Sequence, residues 1–294
     1  MLFFNKKTTI AASGILQGAA DHHSHILAGV DDGVETMDEA LRILAAYEEL
    51  GIKELWLTPH IMEDIPNTPD RLKARFAELK KAYTGNIVLH LAAEYMIDNN
   101  LRKLLDTEID KDCPSFGRGT SSTCDAEGDK TTEPQEEISL INNCPSCVRG
   151  ASNAVAEGDS SLLPIGNNGK HLLVETSYYN PPIKFHETLK QIKSMGYYPL
   201  LAHPERYMYM DEAEYRRLRE EGVKFQLNLA SLAGGYGKIV KKKALWLLEK
   251  GFYDVAGSDL HCEDTVEYIT SCRIGEKEVV KVGKLLGNHL LKTL

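Results

Sequence analysis

The chain has 294 residues, 43% of them hydrophobic and 26% charged, an ordinary balance that argues against wholesale disorder and against a membrane-embedded protein. No apolar run approaches the roughly 20 residues that a bilayer span requires. A net charge of -9 and a pI near 5.6 argue against nonspecific binding to nucleic acid or to an anionic membrane, so an anionic substrate needs a local cationic site.

The length suits one barrel-sized domain or two smaller ones. The opening MLFFNKKTTIAASGILQGAA sets two lysines before a mildly apolar stretch. Thr, Ser, Gly and Gln interrupt that stretch, which makes a poor signal peptide, and the chain is read as cytoplasmic. From Asp21 to Gly33 the sequence reads DHHSHILAGVDDG. On a strand, side chains alternate between faces, so Asp21, His23 and His25 share one face and His22 takes the other as a supporting or packing residue. Two imidazoles at i and i+2 can both reach one cation at the end of a strand, although the pair alone is weak evidence.

The first helix starts at Thr36, which with Glu39 forms a capping box, and Met37, Ala40, Leu41 and Leu44 supply its apolar face. A second starts at Thr68-Pro69 and carries Leu72, Phe76 and Leu79. One pattern recurs along the chain: an amphipathic helix, a glycine that ends it, and an apolar strand. It appears at Gly51, Gly196, Gly222 and Gly251, and further strands are expected over 87–92 and 171–175. Apolar strands alternating with helices imply a parallel sheet buried on both faces, either as a barrel or doubly wound. In both folds chemistry gathers at the carboxyl ends of the strands.

Those ends hold the unusual residues: His60 closes ELWLTPH, Glu94 closes IVLHLAAE, His203 closes YPLLAHPER, and Asp259 with His261 closes FYDVAGSDLH. Each alone has a bland reading as a core histidine or capping carboxylate. Together with His23 and His25 they converge on one site with room for more than one cation. His90, His171, His186 and His289 are read as structural or exposed. Histidine and carboxylate without cysteine suit Mn, Fe, Zn or Mg, ions that polarise a phosphoryl oxygen and activate water. Arg206 adds a planar cation suited to phosphate, with a surface salt bridge as its alternative. No C-x5-R occurs, so the thiol phosphatase signature is absent.

The segment from Cys113 to Asp159 breaks the pattern, being rich in Gly, Ser, Thr, Asp and Glu. Nearly fifty residues without periodicity read as an excursion from the fold. It carries Cys113, Cys124, Cys144 and Cys147 and is read as a flexible interaction loop or small subdomain, with zinc or disulfides as alternatives.

In this order, DHHSH, DDG, TPH, AAE, LAHPERY and GSDLH resemble the polymerase and histidinol phosphatase (PHP) superfamily. More narrowly, ILAGVDDG, LAHPERY, NLASLAGGYG and GSDLH resemble its bacterial capsular-polysaccharide branch, the manganese-dependent tyrosine phosphatases of the CpsB/YwqE type. The likeness covers about 18–112 and 160–290 and implies an α/β fold, a distorted (β/α)7 TIM-like barrel with a long insertion. Residues 1–112 and 160–294 would form that single domain and 113–159 the insertion. The resemblance also implies a three-metal cluster of Mn²⁺, with Fe or Zn as alternatives. His23, His25, Glu94 and Asp259 would hold the first ion. Glu94 and His203 would hold the second, and Asp32, His60 and His261 the third, with Asp31 exchangeable for Asp32. Arg206 would bind the phosphoryl group during in-line displacement at phosphorus.

The implied substrate is phosphotyrosine in the tail of a bacterial tyrosine kinase that controls capsule or exopolysaccharide assembly, and the GGYGK loop with Lys241 to Lys243 would guide that tail. Neither nucleic acid nor membrane insertion is expected, and the oligomeric state stays open. Two other readings remain: hydrolysis of a small phosphate ester such as histidinol phosphate, and a non-catalytic scaffold acting through the insertion.

Overall fold

The computed structural model describes residues 7–112 and 162–287. The insertion, its four cysteines and His289 lie outside the described residues. The chain divides into two compact units, Met1–Leu105 with Ser161–Leu294 and Asp106–Ser160, and every described strand lies in the first.

In chain order the first half runs β1 (Lys7–Thr9), β2 (Ala20–Ser24), α1 (Met37–Glu49), β3 (Glu54–Leu57), β4 (His60–Ile61), α2 (Pro69–Ala82), β5 (Val88–Leu91), β6 (Glu94–Met96) and α3 (Asn99–Asp112). The second runs β7 (His171–Glu175), α4 (Phe185–Ser194), β8 (Tyr198–Leu201), α5 (Glu212–Glu220), β9 (Lys224–Asn228), α6 (Leu229–Ala233), α7 (Gly237–Lys250), β10 (Val255–Gly257), α8 (Asp264–Thr270), β11 (Arg273–Gly275) and α9 (Glu276–Leu286).

The local signals act as read. Thr36 accepts a hydrogen bond from the Glu39 amide and Thr68 from the Arg71 amide, each satisfying an otherwise orphaned helix-start donor. Gly51, Gly196, Gly222 and Gly251 take φ of 84°, 84°, 82° and 73°, the left-handed conformation that ends a helix without a Cβ clash. The buried stripe of α1 is Ala40, Ile43, Leu44 and Tyr47, whereas Met37 and Leu41 are only partly covered.

The expected strand ends are broken rather than continuous. Pro59 has no amide hydrogen, so β3 stops at Leu57 and resumes as β4 at His60; β5 likewise stops before Ala92 and resumes as β6 at Glu94. His60 and Glu94 therefore open short second strands, and they pair directly across the β4–β6 ladder. Parallel pairing runs β10-β9-β8-β7-β6-β4 in one sheet and β2-β3-β5 in another. The segment that follows β10 also meets the end of β2: Ser24 bridges Leu260 in parallel, the Asp259 amide donates to the His23 carbonyl at 2.8 Å, and the His25 amide to that of Leu260 at 2.8 Å. The small antiparallel pair β1–β11 is peripheral to this arrangement.

Four of the histidines set aside from the site are accounted for by their contacts. Buried His22 donates from Nδ1 to the Ala256 carbonyl at 3.1 Å, His90 stacks on Trp56 with ring centroids 4.3 Å apart, and His186 lies between Glu214 and Glu221. His171 is buried at the start of β7, and burial, with a smaller push from Lys224, lowers its pKa to about 4 against a partial pull from Asp254. The unfolded chain thus takes up this proton first, and stability falls as pH drops from about 6.5 towards 4. At pH 5 the loss from this residue is on the order of 1–2 kcal/mol. Urea denaturation at pH 7 and pH 5 should show a smaller difference in His171→Gln; an unchanged difference would contradict the assignment.

Candidate metal centre

The strand ends bring together every residue that the motifs single out. His23 lies in β2 and His25 just beyond it; Asp31 and Asp32 follow in the turn; His60 and Glu94 open β4 and β6; His203, Asp259 and His261 follow β8 and β10. Two motif glycines make the convergence possible. A Cβ on Gly257 would stand 2.5 Å from His23 Cβ, and one on Gly33 would collide with the His25 carbonyl oxygen and stand 2.5 Å from its Cβ. His203 and Asp259 hold φ of 31° and 53°, a conformation that costs non-glycine residues about 1–3 kcal/mol and aims both side chains inward from sharp turns.

Glu94 is the hub. Its Oε2 lies 3.1 Å from His23 Nε2, 3.3 Å from His25 Nε2 and 3.3 Å from His60 Nδ1, and its Oε1 lies 3.1 Å from His203 Nε2. Asp259 Oδ1 stands 3.3 Å from His23 Nε2 and 3.5 Å from His25 Nε2. Asp32 Oδ1 is 3.4 Å from His60 Nε2 and 3.6 Å from His261 Nε2. Among the described residues, three groups have ligating atoms mutually within 4.8 Å: His23, His25, Glu94 and Asp259; His25, Asp32, His60 and His261; and His60, Glu94 and Glu175.

The surroundings orient these imidazoles. His23 Nδ1 donates to Gln226 Oε1 at 3.0 Å, His25 Nδ1 to Asp31 Oδ2 at 2.9 Å, and His261 Nδ1 to the Asp259 carbonyl at 2.9 Å. An acceptor at Nδ1 leaves Nε2 to the centre, the arrangement that metal-binding histidines require. Asp31 also accepts from the His60 amide at 3.0 Å, so the two adjacent aspartates divide the work. Asp31 is buried against His25, while Asp32, with 64% of its side chain exposed, faces the outer imidazoles. Asp21 accepts from the amides of His23 and Ser258 and from the Tyr47 hydroxyl.

Sequence reasoning passed over Glu175. It closes β7 as Glu94 closes its apolar run, and its Oε1 stands 3.1 Å from His60 Nδ1 with neither atom in a hydrogen bond. The signal was present in HLLVE. It was weaker because a single glutamate after an apolar strand lacks an accompanying motif.

Electrostatics and donor chemistry both fit cations. Burial alone would pull the His23 imidazolium down, yet Glu94 and Asp259 outweigh it and push the pKa up to about 9. His25 rises for the same reason, against burial and chiefly through Asp31, whose own carboxyl is held at about 2 by His25 in spite of burial. Glu94 and Asp259 stay ionised although burial opposes it, because imidazoles surround them. A buried set of carboxylates that holds protons on neighbouring imidazoles is a site for positive charge, and hard oxygen with imidazole nitrogen suits first-row divalent ions.

Arg206 stands beside this centre. Its Nη1 donates to Asp259 Oδ2 at 3.1 Å, and its guanidinium carbon lies 4.2 Å from the Tyr178 ring centroid and 3.9 Å from that of Tyr236. A cavity of about 740 Å³ opens onto the cluster, lined among others by Asp32, Glu175, Tyr178, Arg206, Tyr236 and Tyr268. Lys243 donates to the carbonyls of Tyr207 at 2.7 Å and Met210 at 3.3 Å, tying α7 to the segment after β8.

The parallel α/β frame has a counterpart among solved structures. It superposes on one chain from the crystal structures of YwqE from Bacillus subtilis and CpsB from Streptococcus pneumoniae, described as metal-dependent tyrosine phosphatases. The TM-score is 0.63 at 20% identity, over 93% of this chain and 90% of the other, a likeness of fold. The sequence profile of the capsular polysaccharide synthesis CpsB/CapC family matches residues 19–111 and 150–277, and the chain belongs to that family. The tyrosine-protein phosphatase CpsB of Streptococcus pneumoniae is 24% identical over 257 residues, covering 83% of this chain and 84% of its own length. Tyrosine-protein phosphatase YwqE of Bacillus subtilis is 23% identical over 254 residues, covering 85% and 80%. The resemblance read from the motifs is borne out.

Proposed function

We propose that this protein is a metal-dependent phosphatase of protein phosphotyrosine. The observation that carries this reading is the meeting of four imidazoles on Glu94 with Arg206 alongside, at the floor of an open cavity. His23, His25, Glu94 and Asp259 would hold one ion, Glu94, Glu175 and His203 a second, and Asp32, His60 and His261 a third, with Mn²⁺ as the ion. When bound, such ions supply positive charge to phosphoryl oxygens and lower the pKa of a water. The protein's own groups do the rest. Arg206 donates to the non-bridging oxygens and steadies their charge during in-line displacement. The aryl leaving group, a phenolate of pKa about 10, departs without a strong acid. Tyr178 and Tyr236 cover Arg206, excluding water from its ring-facing surfaces.

The parallel pairing of β2, β3/β4, β5/β6, β7, β8, β9 and β10, with Ser24 bridging Leu260, supports a distorted (β/α)7 barrel. The interruption of the family match between 111 and 150 supports a single domain of 1–112 and 160–294 carrying an insertion. Kinship with the tyrosine-protein phosphatases CpsB and YwqE supports phosphotyrosine as substrate, and the family's capsule role supports a bacterial tyrosine kinase as cytoplasmic partner. Among the described residues no helix is long and apolar enough to cross a membrane.

Hydrolysis of a phosphotyrosine peptide and of histidinol phosphate, each with Mn²⁺, Fe²⁺ or Zn²⁺ and after EDTA, tests the reading. The peptide is the better substrate, EDTA abolishes turnover and Mn²⁺ restores it. Turnover that survives complete metal removal would sink the mechanism, and a preference for histidinol phosphate would move the substrate to small esters.

A further inference from the structure

The LAHPERY motif leaves Tyr207 without a part in the chemistry, and the cavity wall leaves Tyr178 and Tyr236. These three share one construction around Arg206. The guanidinium carbon lies over the Tyr178 ring at 4.2 Å and over the Tyr236 ring at 3.9 Å. Tyr178 is itself the end of a column, stacked on Tyr207 at 6.3 Å and 19°, which stacks on Tyr209 at 6.1 Å and 23°.

Both sides of this arrangement are anchored. The column is tied down where the Tyr207 hydroxyl donates to the Ala202 carbonyl at 2.8 Å, where Tyr209 and Thr176 hydroxyls meet at 2.8 Å, and where the Met208 amide donates to the Tyr178 carbonyl at 2.7 Å. Tyr236 is held through its hydroxyl, which accepts from Asn228 Nδ2 at 3.2 Å and lies 3.3 Å from Asp259 Oδ2. Its loop turns at Gly234 and Gly237, with φ of 98° and 89°, values open to glycine. Between them Gly235 packs so closely that a Cβ would sit 3.2 Å from the Tyr268 ring.

Two aryl rings have their centroids about 4 Å from the one guanidinium carbon, and each makes a cation–π contact with it. With Nη1 committed to Asp259 and two rings set against the guanidinium, the N–H groups left for phosphate are those of its remaining edge, which suits a fork-like bidentate contact. We propose that Tyr178 and Tyr236 are positioning residues, a two-jawed aromatic clamp that presents one edge of Arg206 to the phosphoryl group. The clamp rests on the reading of Arg206 as the phosphoryl-binding residue. It explains why the motif continues past the arginine into Tyr207, whose ring backs the inner jaw.

A clamp of this kind leaves a slot when its arginine is shortened. In Arg206→Ala, free guanidinium should restore part of the aryl phosphatase activity with a saturating dependence. Adding Tyr178→Ala or Tyr236→Ala should raise the half-saturating guanidinium concentration about three- to tenfold, and adding Tyr178→Phe should leave it within about twofold, since the ring remains. With Arg206 present, inorganic phosphate binding to the Mn²⁺-loaded protein should weaken in both alanine variants and stay near wild type in Tyr178→Phe, as read by calorimetry. Unchanged phosphate binding in the alanine variants, or absence of guanidinium rescue with both rings in place, overturns the clamp while leaving the role of Arg206 standing. Phosphate binding and turnover unchanged in Arg206→Ala itself would instead remove the underlying reading.

Discussion

Arg206→Ala should lower kcat/KM for an aryl phosphate by a factor of about 10² to 10³ without changing the bound metal content. The size follows from what the group does: a preorganised donor aimed at charge that develops in transfer is worth several kcal/mol in a water-poor site. The unchanged metal content follows from how Asp259 is held. Its Oδ1 faces His23 and His25, while Oδ2 keeps the Asn228 amide at 2.6 Å and the Tyr236 hydroxyl at 3.3 Å once Arg206 is gone. Arg206→Lys should recover little, because an ammonium neither stacks between two rings nor forms a fork. Elemental analysis of the purified variants beside steady-state kinetics checks both halves. Loss of metal in parallel with activity would make Arg206 a structural partner of Asp259, and near-normal kinetics would end its assignment to phosphate.

Legibility along the sequence tracks how local the controlling physics is. Helix starts at Thr36 and Thr68 and helix ends at Gly51, Gly196, Gly222 and Gly251 are set by neighbouring residues, and all were readable. The choice of His23 and His25 over His22 needed only strand alternation, and His22 does turn away to Ala256. What escaped depends on contacts distant in sequence. The division between Asp31 and Asp32 is decided by which one meets the buried Nδ1 of His25, something two adjacent aspartates cannot announce. Gln226 lies 203 residues from the imidazole it orients and sits in a strand of otherwise ordinary composition. The breaks at Thr58-Pro59 and Ala92-Ala93 shift His60 and Glu94 from the ends of long strands to the starts of short ones, and only Pro59 signals this locally. Tyr178 and Tyr236 are polar-edged aromatics at a surface, with no periodicity to distinguish them from packing residues.

Glu94→Gln should remove more of the centre than any other single substitution. Both carboxylate oxygens are used: Oε2 meets His23, His25 and His60, and Oε1 meets His203. An amide keeps the shape but turns one oxygen into a donor and deletes the charge that makes a buried cation tolerable. Two of the three proposed ions share this carboxylate, so the variant should lose both, and turnover should drop by on the order of 10³ or more if metal charge contributes several kcal/mol. Asp32→Asn supplies the contrast. Asp32 is exposed and faces His60 and His261 at the outer side of the cluster, so that variant should lose a single ion and retain measurable activity. The fold should survive in Glu94→Gln, because the imidazoles around a neutral residue can release their protons in place of remaining charged and unpaired. Metal stoichiometry, circular dichroism and kinetics on the two variants together decide the matter. Equal metal loss in both would mean that the ions are held as one cooperative unit, and full occupancy in Glu94→Gln would show that the hub carboxylate is not a ligand at all.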